Sequence, residues 1–320
     1  MSWFIPVVIG LLAIYFVRRL IPRAKVDVKG KYVLITGCDS GFGRETAIKL
    51  DEMEVCVIAT CLTKEGEQSL KSVTSDKLKT FQMDVTNSQQ INDVYQEVKK
   101  SIPCDQGLWG LVNNAGILDI RPIEWAPLDL FKRIADVNLW GMIDVTKTFL
   151  PLVKKARGRV VNFSSAAGRL TTNFVGAYCI TKYGVQAFSD ALRREMHPWG
   201  IKVSIIEPGG FKTQMSNARV IERQLRQGWN NLSDELKRDY GEEYLENGIK
   251  FLSSSPPSHH TYRVVDAVVD GLTSQAPRDR YLVGLDAWLF FAWMARLPTG
   301  LADFIITRVI FRDIVPRGSK

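Results

Sequence analysis

Between residues 30 and 285, short β-branched runs alternate with longer segments of helical spacing. This alternation predicts βαβ units around a parallel sheet that is covered by helices on both faces. No repeat or low-complexity linker interrupts it, so we expect one doubly wound α/β domain. The predicted strands are Tyr32–Thr36, Val55–Thr60, Lys79–Met83, Gly110–Asn113, Gly158–Phe163 and Lys202–Ile206, with helical segments such as Arg44–Leu50 and Leu128–Lys154 between them.

The first residues of the chain are apolar and predict a membrane anchor over residues 1–25. An apolar run from Trp3 to Val17 is followed directly by Arg18 and Arg19. A cleavable signal peptide carries its positive charge before the apolar run, so the reversed order here predicts an uncleaved anchor. Positive charge on the C-terminal side of the anchor predicts that the domain that follows it, residues 26–320, faces the cytoplasm.

A second apolar segment lies near the other end of the chain, within residues 286–311. Its apolar core, residues 287–295, is too short to cross a bilayer and contains Trp288 and Trp293. Tryptophan suits the boundary between water and lipid, which predicts a membrane-interface segment. The same residues are equally suited to covering the core of the domain or a substrate pocket, and both interpretations stay open.

The net charge of +8 is concentrated at the two ends. Residues 1–25 carry +4 and residues 296–320 carry +3, which leaves +1 for the remaining residues. Charge beside apolar segments indicates attraction to anionic lipid headgroups, with solubilising termini as the alternative. It argues against nucleic-acid binding, which uses a basic folded face.

The cysteine and histidine content excludes further classes of protein. Three histidines, and five cysteines without a C-x-x-C pair, argue against a metal site or a disulfide scaffold. An odd number of unpaired cysteines suits a reducing compartment.

A glycine-rich turn follows the first predicted strand and opens a helix. It contains Gly37, Gly41 and Gly43 in the pattern T-G-x-x-x-G-x-G, which differs from the common G-x-G-x-x-G. Glycines at this position let a phosphate approach the backbone at the helix N-terminus, where N–H groups favour an anion. Alone, this pattern is a weak indication of a nucleotide site.

Five further features follow the glycine turn in the order expected of one catalytic site. Tyr178 and Lys182 lie one helical turn apart and therefore share a helix face. Each feature alone has a structural explanation, but their joint occurrence indicates chemistry. They are Asn113-Asn114-Ala115-Gly116, Asn138, Ser165 (13 residues before Tyr178), the pair Tyr178 and Lys182, and Pro208–Thr213.

Over residues 29–285 the chain resembles the short-chain dehydrogenase/reductase family. Residues 37–43, 107–116 and 207–213 resemble its membrane-associated retinol and 17β-hydroxysteroid dehydrogenase branch. Residues 137–141 and 178–182 also resemble 3-hydroxybutyrate dehydrogenase, a related enzyme. The resemblance implies a Rossmann-type fold and an oxidoreductase that transfers a hydride to or from a nicotinamide dinucleotide.

A secondary alcohol becomes a ketone by losing a hydride to the cofactor and a proton to a base. We assign Tyr178 as the general acid/base and Lys182 as the cation that lowers the tyrosine pKa and holds the nicotinamide ribose. Ser165 is expected to bind the reacting oxygen, with Ser164 as the adjacent alternative. By resemblance, Asn138 holds a water that connects Lys182 to solvent.

The cofactor-binding residues are likewise implied by the resemblance. The usual acid that selects NAD at the end of the second strand is missing, since Thr60 and Cys61 stand there. The usual basic residues for NADP are missing as well; for Lys64, contact with a 2′-phosphate and a solvated side chain are equally open interpretations. We therefore favour NAD from the resembled branch and leave NADP open. The residues are Gly37, Ser40, Gly41 and Phe42 at the pyrophosphate, Asp84 at the adenine, Asn114 at its ribose, Thr213 at the nicotinamide amide, and Tyr178 with Lys182 at the nicotinamide ribose.

Residues 214–262 leave the strand–helix pattern and predict a lid over the substrate. Two amphipathic helices, Arg219–Trp229 and Asp234–Leu252, are expected there; a structural excursion is the alternative. The sequence thus predicts a membrane-bound, NAD-dependent dehydrogenase of hydroxysteroids or retinol in the endoplasmic reticulum. A lipid-associated 3-hydroxybutyrate dehydrogenase and a non-catalytic nucleotide-binding protein are the alternatives. Family members are commonly dimers or tetramers, so the resemblance also allows a homo-oligomer.

Overall fold

The computed structural model describes residue 10, residues 24–254 and residues 257–319. Nearly all of the predicted anchor, residues 1–25, lies outside the described residues. Within them, no helix is long and apolar enough to cross a membrane.

Seven parallel strands form one sheet in the order β3-β2-β1-β4-β5-β6-β7. The chain order reverses between β1 and β4, and this reversal leaves a crevice at their carboxyl ends. The prediction of a doubly wound parallel sheet is confirmed. The strands are β1 Tyr32–Thr36, β2 Cys56–Cys61, β3 Lys79–Gln82, β4 Leu108–Asn113, β5 Arg159–Phe163, β6 Lys202–Pro208 and β7 Arg280–Val283.

The central strands are almost wholly buried because helices cover both faces of the sheet. In β5 every residue is buried, and in β1 only the first residue is partly exposed. Continuous apolar and β-branched runs are typical of such doubly covered strands. Two core clusters, one for each face, pack against the sheet.

Twelve α-helices are described. They are α1 Gly41–Glu52, α2 Lys64–Lys71, α3 Ser88–Ser101, α4 Leu128–Ala135, α5 Met142–Ala156, α6 Gly176–Met196, α7 Ala218–Asn230, α8 Asp234–Tyr240, α9 Glu242–Ser254, α10 Tyr262–Thr273, α11 Ala292–Met294 and α12 Thr299–Phe304. Three π-helical turns join or extend them: Asp136–Gly141, Ala287–Phe291 and Ile305–Ile310.

The structure corrects two sequence predictions about elements and adds one strand that was not predicted. The helix predicted over Leu128–Lys154 is divided into α4 and α5 by the π turn Asp136–Gly141. The single helix predicted over Asp234–Leu252 is two helices, because Gly241 takes a φ of 75° and ends α8. The sequence also gave no indication of β7, which pairs with β6 at the edge of the sheet.

The C-terminal segment forms a third apolar cluster with the lid helices. Met294, Ile306 and Phe311 are buried there against Leu225 of α7 and Leu245 of α9. The opposite face stays exposed, with Trp288, Leu289, Trp293, Leu301 and Phe304 between 47% and 72% accessible. One face of this segment therefore covers the domain, while the other presents large apolar side chains to the surroundings.

Candidate active site

The glycine turn packs tightly against the end of β4. Gly37 and Gly41 have φ of 71° and 60°, a region that favours glycine. A Cβ on Gly37 would lie 2.8 Å from the Cα of Ala115. One on Gly43 would collide with the Gly37 carbonyl oxygen and the amide of Asn114. The sequence pattern is therefore explained by close backbone approach at the crevice.

The N-terminus of α1 is suited to an anion. Ser40 stands at its N-cap with no side-chain cap hydrogen bond, whereas Thr63 caps α2 and Asn87 caps α3. The first N–H groups of α1 thus lack an intrahelical or capping acceptor, and they are the donors that a pyrophosphate takes at such a turn. The turn fits a dinucleotide at the predicted residues Gly37, Ser40, Gly41 and Phe42.

Of the other predicted cofactor residues, at the adenosine and the nicotinamide amide, two line the cleft and one does not. Asn114 lines the cleft, but its amide donates to the carbonyl oxygens of Thr36 and Gly37, each at 2.9 Å, and so braces the turn. Thr213 lies on the cleft wall opposite Gly41. Asp84 follows β3, where its carboxylate accepts from the Thr86 N–H at 2.9 Å. Among the described residues it is not part of the cleft lining.

Sequence reasoning missed Asp39, the central residue of the glycine turn. Its carboxylate reaches the loop after β2 and accepts from the N–H of Leu62 at 2.8 Å and of Thr63 at 2.9 Å. The Thr63 hydroxyl donates to it as well, at 2.8 Å. The sequence signal for Asp39 is the missing acid at the end of the second strand, which indicates that a carboxylate from another element takes its place.

Ser165, Tyr178 and Lys182 meet at the floor of the cleft. Lys182 lies one turn after Tyr178 on α6, and its Nζ is 5.5 Å from the centre of the tyrosine ring. The same Nζ donates to the Phe163 carbonyl oxygen at 2.8 Å, at the end of β5. Ser165 follows β5 and lines the cleft beside Tyr178, where its hydroxyl donates to the Pro208 carbonyl oxygen at 3.3 Å. The alternative, Ser164, instead donates to the carbonyl oxygen of Lys182 at 3.0 Å.

Burial controls the protonation of this pair. It raises the pKa of Tyr178 to about 12, although the neighbouring Ser165 hydroxyl lowers the pKa in part. Burial also lowers the pKa of Lys182 to about 8. The protein's own residues thus do not produce the lowered tyrosine pKa that the sequence predicts, because desolvation is the largest effect on Tyr178. The second positive charge that is expected to lower the tyrosine pKa is that of the oxidised nicotinamide.

Asn138 lies in the π turn between α4 and α5 and is 2% exposed. Its side chain accepts from the Ile117 N–H at 2.7 Å and donates to the Ile117 carbonyl oxygen at 2.9 Å. A Cβ on Gly116 would lie 3.2 Å from its Oδ1 and 3.8 Å from Lys182 Nζ. Gly116 therefore separates Asn138 from Lys182 without a side chain in between.

The remaining cleft wall is mostly apolar. Phe42 packs on Phe163 and Phe211, with ring centres 5.9 Å apart in each pair. Leu118 and Met215 line the cleft on the lid side. The apolar wall surrounds the hydroxyl groups of Ser165 and Tyr178, as in a site for a lipophilic molecule with one reacting polar group.

The loop after β6 forms the last side of the cleft and is held from behind by Asp286. The Gly210 N–H donates to the Asp286 carboxylate at 2.6 Å. The Gly209 N–H donates to the Val283 carbonyl oxygen at 2.8 Å. Asp286 directly precedes the C-terminal π turn Ala287–Phe291, so one residue joins that segment to the cleft wall.

Within the described residues, no group of three or more metal-ligating side chains occurs. An anion-binding turn at the reversal of a doubly wound sheet, beside a tyrosine–lysine pair, defines a dinucleotide-dependent oxidoreductase as the class of protein. The chain belongs to the short chain dehydrogenase family, whose model matches residues 31–224.

Curated relatives refine the branch. The chain is 45% identical over 303 residues to retinol dehydrogenase 7 of Rattus norvegicus, covering 93% of this chain and 95% of the relative. It is 45% identical over 284 residues to 17-beta-hydroxysteroid dehydrogenase type 6 of Homo sapiens, covering 88% and 89%. The chain thus falls within the retinol and hydroxysteroid dehydrogenase branch that the sequence resembles.

A solved structure shares the fold. A short-chain dehydrogenase from Streptomyces avermitilis superposes with a TM-score of 0.67 at 24% identity, covering 89% of this chain and 98% of that one. Another, from Burkholderia cenocepacia in complex with NADP, has the same TM-score at 20% identity. At this identity the likeness supports the doubly wound fold alone.

Proposed function

We propose that this protein oxidises a secondary or allylic alcohol of a hydroxysteroid or retinol to the carbonyl, with NAD as hydride acceptor. The observation that carries the proposal is the meeting of Ser165, Tyr178 and Lys182 in an apolar cleft beside the uncapped N-terminus of α1. A nucleotide-binding scaffold without catalysis has no physical need for that set.

In this proposal the cofactor lies along the glycine turn and reaches the floor of the cleft. Gly37, Ser40, Gly41 and Phe42 hold its pyrophosphate, and Thr213 contacts the nicotinamide amide. Asp84 and Asn114 serve the adenosine half, Asp84 from outside the cleft. When bound, the nicotinamide accepts the hydride from the alcohol carbon and supplies positive charge beside Tyr178.

Tyr178 takes the alcohol proton as the hydride leaves, and Ser165 donates a hydrogen bond to the reacting oxygen. Lys182 is held by the Phe163 carbonyl oxygen. In its charged form, the Lys182 ammonium group stabilises the Tyr178 phenolate. Asn138 binds the water that passes the proton from Lys182 towards solvent. In the reverse direction Tyr178 returns the proton to the carbonyl oxygen.

An apolar substrate is supported by the cleft wall and the lid. Phe163, Phe211, Leu118 and Met215 line the cleft, and Met215 belongs to residues 214–262, the lid that the sequence predicts. The printed names of the relatives, retinol dehydrogenase and 17-beta-hydroxysteroid dehydrogenase, point to the same substrate class.

We also propose that the protein works at the endoplasmic reticulum membrane with its catalytic domain facing the cytoplasm. The exposed apolar face within residues 286–311 supports this, together with the predicted anchor at residues 1–25 and the basic ends of the chain. A homo-oligomer stays a prediction from the family.

The experiment is initial-rate oxidation of a substrate panel by the detergent-solubilised full chain. The panel contains a 17β-hydroxysteroid, a 3α-hydroxysteroid, all-trans and 11-cis retinol, and 3-hydroxybutyrate, each with NAD or NADP. We expect turnover of a steroid or of retinol. Turnover of 3-hydroxybutyrate alone would refute the proposed substrate class.

The mechanism is tested with Tyr178→Phe, which should reduce kcat by about a thousandfold, as loss of a general acid/base does. NADH binding, followed by cofactor fluorescence, should remain within about threefold, since the ring is retained. Tyr183→Phe is the matched control, because Tyr183 lies on the same helix but is 44% exposed. Full turnover by Tyr178→Phe would refute the assigned roles.

A further inference from the structure

The end of β2 carries no acid to distinguish NAD from NADP. In dinucleotide-binding folds, an acid about 20 residues past the glycines binds the adenosine 2′-hydroxyl, whereas a basic residue accepts a 2′-phosphate. The structure places a carboxylate at this location from another element. Asp39 of the glycine turn accepts hydrogen bonds from the N–H of Leu62 and of Thr63, directly after β2.

We propose that Asp39 selects NAD(H) against NADP(H), in place of the missing strand-end acid. The inference rests on the proposed use of a nicotinamide dinucleotide and identifies the residue that chooses between the two forms. A 2′-phosphate brings a charge of nearly −2 and needs donors. At this place it meets a carboxylate, and the N–H groups of Leu62 and Thr63 already donate to Asp39.

The position of the carboxylate is strongly determined. The Thr63 hydroxyl donates to Asp39 and accepts from the Gly66 N–H at 3.0 Å, which caps α2. A Cβ on Gly66 would lie 2.5 Å from Asp39 Oδ1, so the first turn of α2 packs directly on the carboxylate. A negative group at a helix N-terminus is also favoured by the helix dipole. Asp39 is therefore stabilised where it stands.

Among the described residues, no basic side chain forms an ion pair with Asp39, whose carboxylate is bound by Leu62 and Thr63. Arg44 donates to the Ser69 carbonyl oxygen at 2.9 Å, and Lys71 pairs with Glu67 at 2.8 Å. Lys64 is exposed at the start of α2, and Glu67 on the next turn of that helix is the residue that pairs with Lys71. This arrangement favours the uncharged 2′-hydroxyl of NAD.

The test compares binding of the oxidised cofactors, NAD and NADP, by titration calorimetry with the full chain in detergent. Adenosine 5′-monophosphate and adenosine 2′,5′-bisphosphate serve as minimal probes that differ in the 2′-phosphate. We expect the wild type to bind NAD and the monophosphate at least about tenfold more tightly than their 2′-phosphorylated counterparts. One like charge at short range exceeds that factor at an effective dielectric of about 20.

Asp39→Asn keeps the size of the side chain and removes its charge. It should narrow the preference for NAD by about tenfold or more, mainly through tighter binding of NADP. Thr63→Val is the matched control, because it removes one hydrogen bond to Asp39 and leaves the charge; the preference should persist. The wild-type comparison of the two adenosine probes needs no variant, so equal binding of the two probes would refute the inference even when Asp39→Asn does not fold.

Three outcomes would overturn the inference in distinguishable ways. Equal weakening of both cofactors in Asp39→Asn, with an unchanged ratio, would make Asp39 a structural residue only. A wild type that binds NADP as tightly as NAD would refute the inference and leave the oxidoreductase function standing. A wild type that binds neither dinucleotide would refute the proposed function together with it.

Discussion

Lys182 should make the stability of this protein rise with pH in the alkaline range. The side chain is 4% exposed, and burial lowers its pKa from 10.5 to about 8. Between these two values the unfolded chain holds a proton that the folded protein has released. Folding therefore carries the full penalty of the buried charge below pH 8, and the penalty disappears as the pH approaches 10.5.

The magnitude follows from the size of the shift. Each pKa unit corresponds to about 1.4 kcal/mol, so the wild type gains about 2 kcal/mol between pH ~7 and ~9.5 from this group. Lys182→Met keeps the length of the side chain and does not titrate. The difference in free energy of unfolding, wild type minus variant, should therefore increase by about 2 kcal/mol over that interval. The variant also loses the hydrogen bond to the Phe163 carbonyl oxygen. This loss shifts the difference in free energy of unfolding by a constant amount and does not change its dependence on pH.

The measurement is urea unfolding followed by tryptophan fluorescence at several pH values in that range. Tyr178 is present in both proteins, so the effect of its raised pKa cancels in the difference between wild type and variant. Lys147→Met, at an exposed lysine, is the matched control and should give a flat difference. A flat difference for Lys182→Met as well would refute the argument that burial discharges this lysine near the working pH.

Two further predictions concern the buried ion pair behind the cleft and the exposed C-terminal face. Glu207, fully buried, binds Arg169 through both carboxylate oxygens at 2.7 and 2.6 Å, so Glu207→Gln should cost about 3 kcal/mol of unfolding free energy in urea titrations. Glu222→Gln, which breaks only an exposed pair, should cost under about 1 kcal/mol, and equal losses would contradict the argument. In vesicles of brominated lipid, replacing Trp288 and Trp293 by Phe should remove part of the fluorescence quenching. Trp199→Phe, 54% exposed elsewhere on the domain, should not; unchanged quenching in the double variant would argue against insertion of this face.

The central sheet could be predicted because its strands are long, apolar and buried on both faces. The prediction for β1 coincides with the structure at both ends. In contrast, β7 was not predicted, because it comes after residues 214–262, which leave the strand–helix pattern, whereas the equally short β3 lies within the regular alternation. The break at Gly241 depends on one positive φ within an otherwise helical pattern.

The candidate site also contains residues that the sequence pattern predicts and contacts that it does not predict. Ser165, Tyr178 and Lys182 could be identified because their spacing within the chain reflects how β5 and α6 pack. The binding of Asn138 to the Ile117 backbone depends on a π turn, for which the sequence offers no periodic signal. The contact of Asp39 with Leu62 joins residues 23 positions apart, and it requires the loop after β2 to return to the glycine turn. Local patterns do not contain that information.

The link between Asp286 and Gly210 has a consequence for preparing this protein in soluble form. Deleting the chain from residue 286 onwards removes the exposed tryptophans, but it also removes the acceptor that holds the loop of the cleft wall. It uncovers the buried Leu225 and Leu245 of the lid as well, because Met294, Ile306 and Phe311 pack with them in one cluster. Solubility is therefore better sought by replacing outward-facing residues such as Leu289 and Phe304 with polar ones, on a chain of full length.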